Sequence, residues 1–413
     1  MTLNQSLENT RAASRAVGAC PADRIDTLLR DTADRLEAAA DIILRANAAD
    51  LAEMATDDPK RDRLALTEAR IADMAAGLRD VGTLPSPLWR ELSESTRPNG
   101  MTIRKVSVPM GVIAVVYEAR PNVTTDVYAL CLKAGSACVL RGGHQAARTN
   151  RAIMDVIHAA LRDAGLPEAA CTMPAGGHEV TAAILRARGM VDLCIPRGGR
   201  ALIDYVRDNA LVPVIETGAG VCHTYLHASG DTATARDLVL NAKTRRVSVC
   251  NALDCLILDR TRLADLAAVC YPLQEHGVEI HADPDAYDAL RDAYPLLVPA
   301  APEDFGREWL DYKLTVKTVG GMDEALHYIS AHGSRHSECI VAEDRVVQER
   351  FLREVDAACV YANVSTAFTD GGQYGMGAEI GISTQKLHAR GPMALPELCT
   401  YKYIVTGSGQ TRK

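Results

Sequence analysis

VIAVVYEARPNVTTDVYALCLKAGSACVLRGG, residues 112–143, carries the reading of the fold. Val112-Ile-Ala-Val-Val116 is a continuous apolar run of the kind found in a strand buried on both faces. Val123 to Lys133 has helical spacing and Ala137-Cys-Val-Leu140 is a second short strand, so the stretch predicts a strand, a crossover helix and a parallel strand. A helix from about Ala146 to Ala164, a strand near Val191 to Ile195 and a helix from Ala201 to Asn209 extend it into a mostly parallel α/β sheet. Such sheets take ligands at the carboxyl ends of their strands. Here Val116 runs into Glu118-Ala-Arg-Pro-Asn122, Leu140 into Arg141-Gly142-Gly143, and Ile195 into Pro196-Arg197-Gly198-Gly199. Glycine admits a close backbone approach, arginine brings a forked cation, and a helix starting at Arg200 or Ala201 presents free N–H groups. Together they point to a phosphate-bearing ligand, a nucleotide in particular, although each Gly-Gly taken alone is equally a tight turn. No GxGxxG fingerprint occurs, so the nucleotide would be held differently from the usual dinucleotide fold.

Upstream, apolar residues at helical spacing predict a helix over Ala22 to about Asn47 and another over Leu64 to Val81, separated by the polar break Asp57-Asp-Pro-Lys-Arg-Asp62. Ile103, Val106 and Val108 alternate with polar residues as in an exposed ribbon. The tail Thr400-Tyr-Lys-Tyr-Ile-Val405 is a β-rich strand free to pair with that ribbon, within the chain or across a subunit boundary.

The 413 residues are long for one core and predict two or three domains. A net charge of −8 argues against a nucleic-acid groove or an anionic membrane surface as the main partner. The amino terminus has no apolar signal-peptide core and no run of 18 apolar residues occurs, so a cytoplasmic protein is expected. The 12 scattered cysteines then read as reduced thiols. His276, His281 and the His336-Ser-Glu-Cys339 turn lack zinc-site spacing, so no metal is expected.

One cysteine stands apart. In Asn241-Ala-Lys-Thr-Arg-Arg-Val-Ser-Val-Cys250-Asn-Ala-Leu-Asp-Cys-Leu-Ile-Leu258 it lies where polar sequence turns apolar, after Lys243, Arg245 and Arg246. Positive potential favours a thiolate, which is the profile of a nucleophile, against the alternative of one more small core residue. Glu216, at the end of the apolar run Pro213-Val-Ile and ahead of Thr-Gly-Ala-Gly220, sits where a general base or water-orienting group belongs, or is a solvent-exposed acid. The segments 363–372 and 375–391 are long, polar and glycine-rich, as loops lining a site are.

Tyr117-Glu-Ala-Arg-Pro-Asn-Val, Val139-Leu-Arg-Gly-Gly, Ile195-Pro-Arg-Gly-Gly, Pro213-Val-Ile-Glu-Thr-Gly, Val249-Cys-Asn-Ala, His336-Ser-Glu and Glu379-Ile-Gly-Ile-Ser-Thr-Gln-Lys-Leu-His-Ala-Arg-Gly-Pro resemble, in order from about residue 10 to the end, the γ-glutamyl phosphate reductases of the aldehyde dehydrogenase superfamily. The resemblance implies two parallel-sheet α/β domains and a small β oligomerisation arm. Residues 1–100 and 109–218 would bind NADP, 219–378 would carry the nucleophile, and 101–108 with 379–413 would form the arm. It puts the nucleophile on Cys250, the oxyanion's amide donor on Asn122 and the superfamily's general base on Glu216. Cofactor contacts fall on Arg141, Gly142, Gly143, Arg197, Gly198 and Gly199, with Glu308 on the nicotinamide ribose. Arg141 stands where hydrolytic relatives have lysine, which fits a 2′-phosphate and so NADPH. Arg120, Lys386, His388 and Arg390 are the candidates for substrate phosphate and carboxylate. The implied reaction is NADPH-dependent reduction of L-glutamate 5-phosphate to the 5-semialdehyde in proline biosynthesis, by a homo-oligomer, dimer or tetramer, with glutamate 5-kinase as a candidate partner. Val247 replaces a proline expected before the nucleophile. The alternatives are another acyl-phosphate or CoA-linked semialdehyde dehydrogenase, and a cysteine hydrolase or acyltransferase using His223 or His336.

Overall fold

The computed structural model describes residues 2–55, 58 and 61–412. Residues 57, 59 and 60 of the polar break expected at 57–62 lie outside the described residues. The chain divides into two compact units, the first comprising the chain up to Thr217 with Met376–Gly381 and everything from Met393 on, the second Gly218–Gly375 with Ile382–Pro392.

In the first unit the apolar run becomes the strand Val112–Tyr117, buried at every residue. It pairs in parallel with Ala137–Arg141 on one side and Leu193–Arg197 on the other, and the short strand Cys171–Thr172 completes a four-stranded sheet. The crossover helix Asn122–Lys133 is buried nearly all round because it is packed between the sheet and other helices. Partnering Val116 with Arg141 and Tyr117 with Arg197 brings three strand ends to one sheet edge.

The helix expected over 22–47 is two helices, Ala22–Ala38 and Ala40–Ala52, with Ala39 out of helical geometry at φ −92°, ψ 8°. Leu36 and Ile43, both fully buried, are seven residues apart, so the apolar periodicity runs through the break and conceals it. The helix Leu3–Ala19 and the strand Glu91–Thr96, exposed along its whole length, carry too weak an apolar pattern to be read in advance. That strand, Thr102–Pro109 and Cys399–Thr406 form a three-stranded antiparallel sheet, and the tail pairs within its own chain, Thr406 with Thr102 and Thr400 with Val108.

The second unit is built on a seven-stranded parallel sheet in the order Leu297–Pro299, Glu279–Ala282, Lys313–Val319, Leu253–Asp259, Cys222–Leu226, Ser337–Val341, Cys359–Ala362. Alternation along Leu253–Asp259 sends Leu256 and Leu258 into one core and Cys255 and Ile257 into the other, so the strand is buried on both faces.

Candidate active site

Cys250 sits in the turn between the helix Thr232–Thr244 and the strand Leu253–Asp259, where the Ala252 N–H donates to the Val249 carbonyl at 3.1 Å. This is the amino edge of the second sheet, opposite in sense to the strand ends of the first unit. Ten of the twelve cysteines are buried, and only Cys20 and Cys250 are partly open. The turn is held from below: the Cys222 thiol donates to the Cys250 carbonyl at 3.2 Å. A Cβ on Gly220 would lie 1.8 Å from that carbonyl oxygen, so only glycine fits against the turn. The Gly220 N–H in turn donates to Glu308 Oε1 at 2.9 Å, which places the Glu308 carboxylate in the same neighbourhood.

The cationic approach expected ahead of Cys250 is only partly there. Lys243 is fully buried and its Nζ has no hydrogen-bond partner. Burial pulls its pKa down to about 8 against the pull of Asp254 and Asp311. Asp254, also buried, accepts from the Trp309 N–H at 2.9 Å, and burial raises it to about 7 against the pull of Lys243. A charge that spacing would have revealed was therefore missed: Lys243 falls four residues after buried Val239 and eight after buried Ala235, on the inward stripe of its helix.

His336-Ser-Glu is no polar turn. All three residues are buried where the chain enters an interior strand, and each has a hydrogen-bond partner, although His336 Nε2 and Glu338 Oε1 have none. Glu338 Oε2 pairs with His223 Nδ1 at 2.8 Å across adjacent strands, and His336 Nδ1 meets Ser337 Oγ at 2.8 Å. Burial lowers the His336 pKa to about 4.

The proposed substrate cations divide. Lys386 and Arg390 both bond the Asp356 carboxylate, at 2.7 and 2.8 Å, and these two hydrogen bonds, Lys386 first, hold Asp356 below the usual range. His388 is exposed and adopts φ 64°. Arg120 lies in the first unit, exposed, just before the helix Asn122–Lys133.

Also in the first unit, Asn122 opens that helix and donates to Asp126 at 3.0 Å. Glu216 is half-buried, 3.9 Å from Arg207. Arg141 donates from its ε-nitrogen to Thr181 at 3.1 Å and from a terminal nitrogen to the Gly176 and Gly177 carbonyls at 2.5 and 2.9 Å. Its guanidinium thus shapes a loop. The glycines answer to their own surroundings: a Cβ on Gly142 would be 2.5 Å from Asn150 Nδ2, and on Gly198 2.8 Å from both Glu118 and Leu202. Gly143 is packed beside Gln145, and Gly199 and Arg197 stand at the start of the helix Arg200–Asn209, whose first turn has no side-chain cap. Among the described residues no group of three or more His, Cys, Asp or Glu is placed to hold a metal ion.

No protein-family model matches the chain. A γ-glutamyl phosphate reductase of Parabacteroides distasonis is 55% identical over 414 residues, covering 100% of both chains. The chain belongs to the γ-glutamyl phosphate reductase family. The crystal structure of γ-glutamyl phosphate reductase from Thermotoga maritima covers 100% of each chain with a TM-score of 0.96 at 37% identity. The fold of the family is that of the aldehyde dehydrogenases: an acetylating aldehyde dehydrogenase from Geobacillus thermoglucosidasius matches 100% of this chain and 97% of its own at TM-score 0.69 and 17% identity. An engineered glycolyl-CoA reductase with bound NADP+ matches 98% of this chain and 96% of its own at TM-score 0.67 and 15% identity. Fold neighbours of the γ-glutamyl phosphate reductases thus include one that holds a nicotinamide dinucleotide.

Proposed function

We propose that this chain reduces L-glutamate 5-phosphate to L-glutamate 5-semialdehyde and phosphate with NADPH, through a thioester on Cys250. Family membership over the full length supports the reaction. The observation that carries the nucleophile is the placement of Cys250, half-open in a turn braced by Cys222 and Gly220 while nearly every other thiol is buried. The Cys250 thiolate attacks the γ-carbonyl, a C–S bond forms, and the C–O bond to phosphate breaks. We assign the developing oxyanion to Asn122 and the Cys250 backbone N–H, each such donor being worth roughly 2.7–4 kcal/mol. Reduction of the acyl group and cleavage of the C–S bond release the aldehyde and restore the thiolate.

The first unit fits a nicotinamide dinucleotide: the helix Arg200–Asn209 begins without a side-chain cap, and Arg141 and Arg197 end the two strands that flank Val112–Tyr117. The cofactor supplies the hydride when bound. Arg141 would act by holding the Gly176–Gly177 loop, Gly142, Gly143, Gly198 and Gly199 by keeping the strand-end turns compact, and Glu308 by accepting from the ribose. Water would destroy the thioester, so Glu216 is assigned proton management and no water activation. Arg120, Lys386, His388 and Arg390 are the candidates for the substrate anions, and Lys386 and Arg390 would have to share with Asp356. The unit carrying residues 218–375 is the catalytic domain in this reading, the four-stranded sheet with its helices the cofactor domain, and the three-stranded sheet the oligomerisation arm. Glutamate 5-kinase is the natural source of so unstable a substrate. No described helix is long and apolar enough to cross a membrane. A cytoplasmic enzyme is our proposal, on the biosynthetic reaction proposed for it.

The test is the reverse reaction, phosphate-dependent reduction of NADP+ by glutamate 5-semialdehyde, with wild type beside Cys250→Ala. Phosphate-dependent activity that vanishes in the variant supports the reading. Activity indifferent to phosphate would indicate a hydrolytic dehydrogenase with Glu216 as base, and activity in Cys250→Ala would remove the nucleophile.

A further inference from the structure

A continuous series of polar contacts crosses the second unit from a partly exposed tyrosine to the turn that carries Cys250. The Tyr374 hydroxyl, on a side chain 42% exposed, lies 2.5 Å from the Tyr361 hydroxyl. Tyr361 is 2.7 Å from Thr369 Oγ1, Thr369 Oγ1 is 2.6 Å from Ser337 Oγ, and Ser337 Oγ is 2.8 Å from His336 Nδ1. The same ring nitrogen lies 3.7 Å from Cys222 Sγ, whose thiol donates to the Cys250 carbonyl at 3.2 Å. Thr369, Ser337, His336 and Cys222 are fully buried.

The donors and acceptors fall into one order. His336 Nε2 has no partner, and an unpaired buried N–H is rarer than an under-used acceptor, which puts the proton on Nδ1. Nδ1–H then donates to Ser337, Ser337 to Thr369, Thr369 to Tyr361, Tyr361 to Tyr374, and Tyr374 to solvent. Each hydroxyl gives once and accepts once, so all four hydroxyls are paired, which favours a single geometry along the series.

Thr369 is where this series meets a second attachment to the same turn. Its backbone carbonyl accepts from Asn251 Nδ2 at 2.9 Å, and the Asn251 carbonyl accepts from Thr366 Oγ1 at 2.9 Å. Residue 250 through its carbonyl and residue 251 through its side chain are thus tied to one buried threonine. We infer that Thr369 is a positioning residue for the nucleophile, its hydroxyl joining the Tyr361–Tyr374 pair to the Ser337–His336–Cys222 support beneath Cys250. The inference rests on the reading of Cys250 as the nucleophile.

The test compares wild type, Thr369→Val, Thr369→Ser and Cys250→Ala in the phosphate-dependent reaction. Alongside it go the rate of Cys250 alkylation by iodoacetamide, located by mass spectrometry, and urea unfolding. Thr369→Val keeps the shape and loses the hydroxyl. Its kcat is expected to fall roughly tenfold or more with KM within about twofold, since small displacements of a reacting group are costly. Alkylation of Cys250 should slow in step, and Thr369→Ser should restore both. Wild-type kcat and alkylation rate in Thr369→Val, with Cys250→Ala inactive, would overturn the inference, as would a loss of stability alone. Activity in Cys250→Ala would instead sink the reading beneath it. If Thr369→Val does not fold, Tyr361→Phe cuts the next link and should lower kcat roughly threefold by loosening the same group; an unchanged kcat there overturns the inference equally.

Discussion

Cys250 owes its openness to Gly220 and Cys222, and the first of these is the sharper test. A methyl on Gly220 would occupy the space of the Cys250 carbonyl, so Gly220→Ala must push the turn outward. We expect kcat to fall by about 10²-fold with the cofactor KM unchanged, measured as initial rates on folded protein. His336 offers a prediction in stability. Its folded pKa of about 4 lies below the ordinary value of 6.5, so the unfolded chain binds a proton that the folded chain refuses. Its contribution is full above pH 6.5 and is lost as pH falls toward 4, by about 3 kcal/mol in all. Urea unfolding at pH 7.5 and 4.5 should show the difference between the two pH values shrinking by roughly 2 kcal/mol in His336→Gln. An unchanged difference would show that folding does not lower the histidine's pKa.

Among the elements, the helix Thr232–Thr244 presents a buried lysine toward Asp254 at the start of the next strand. The two sense each other's charge without a hydrogen bond from Lys243 Nζ, so Lys243→Met and Asp254→Asn should be non-additive, the double variant costing less than the sum of the single ones by roughly 0.5–3 kcal/mol. Chemical denaturation of the three variants reads this directly, and simple additivity would mean the two groups do not sense each other. The elements also show what the strand-end rule leaves out. The rule that open parallel sheets bind at strand carboxyl ends picks out Arg141 and Arg197, yet Cys250, His336 and Gly220 precede their strands. The edge a residue faces depends on how the sheet is assembled. Glu338 and His223 stand 115 positions apart in sequence, and strand pairing alone makes them partners.

At the level of the assembled protein, the strand Cys399–Thr406 is the outer member of its three-stranded sheet and exposes Tyr401, Tyr403 and Val405 at 50%, 60% and 53%. A β edge with that much apolar surface calls for a partner, and we expect a homo-oligomer built on it. Val405→Lys with Tyr403→Lys should shift sedimentation toward smaller species. Unchanged sedimentation would place the subunit contact elsewhere.

Local pattern was enough for the buried strand at 112–117, its crossover helix, the strand ends bearing arginine and glycine, and Cys250 at the boundary of polar and apolar sequence. Those features are written in neighbouring residues, because burial on both faces demands an unbroken apolar run and a turn demands glycine. The support beneath Cys250 could not be read that way. Thr369, Ser337, His336, Cys222 and Gly220 are polar or small residues on separate strands and loops, and they acquire meaning only when a parallel sheet lays those strands side by side. The burial of the His223–Glu338 pair has the same cause: desolvation is set by what packs against a residue in three dimensions.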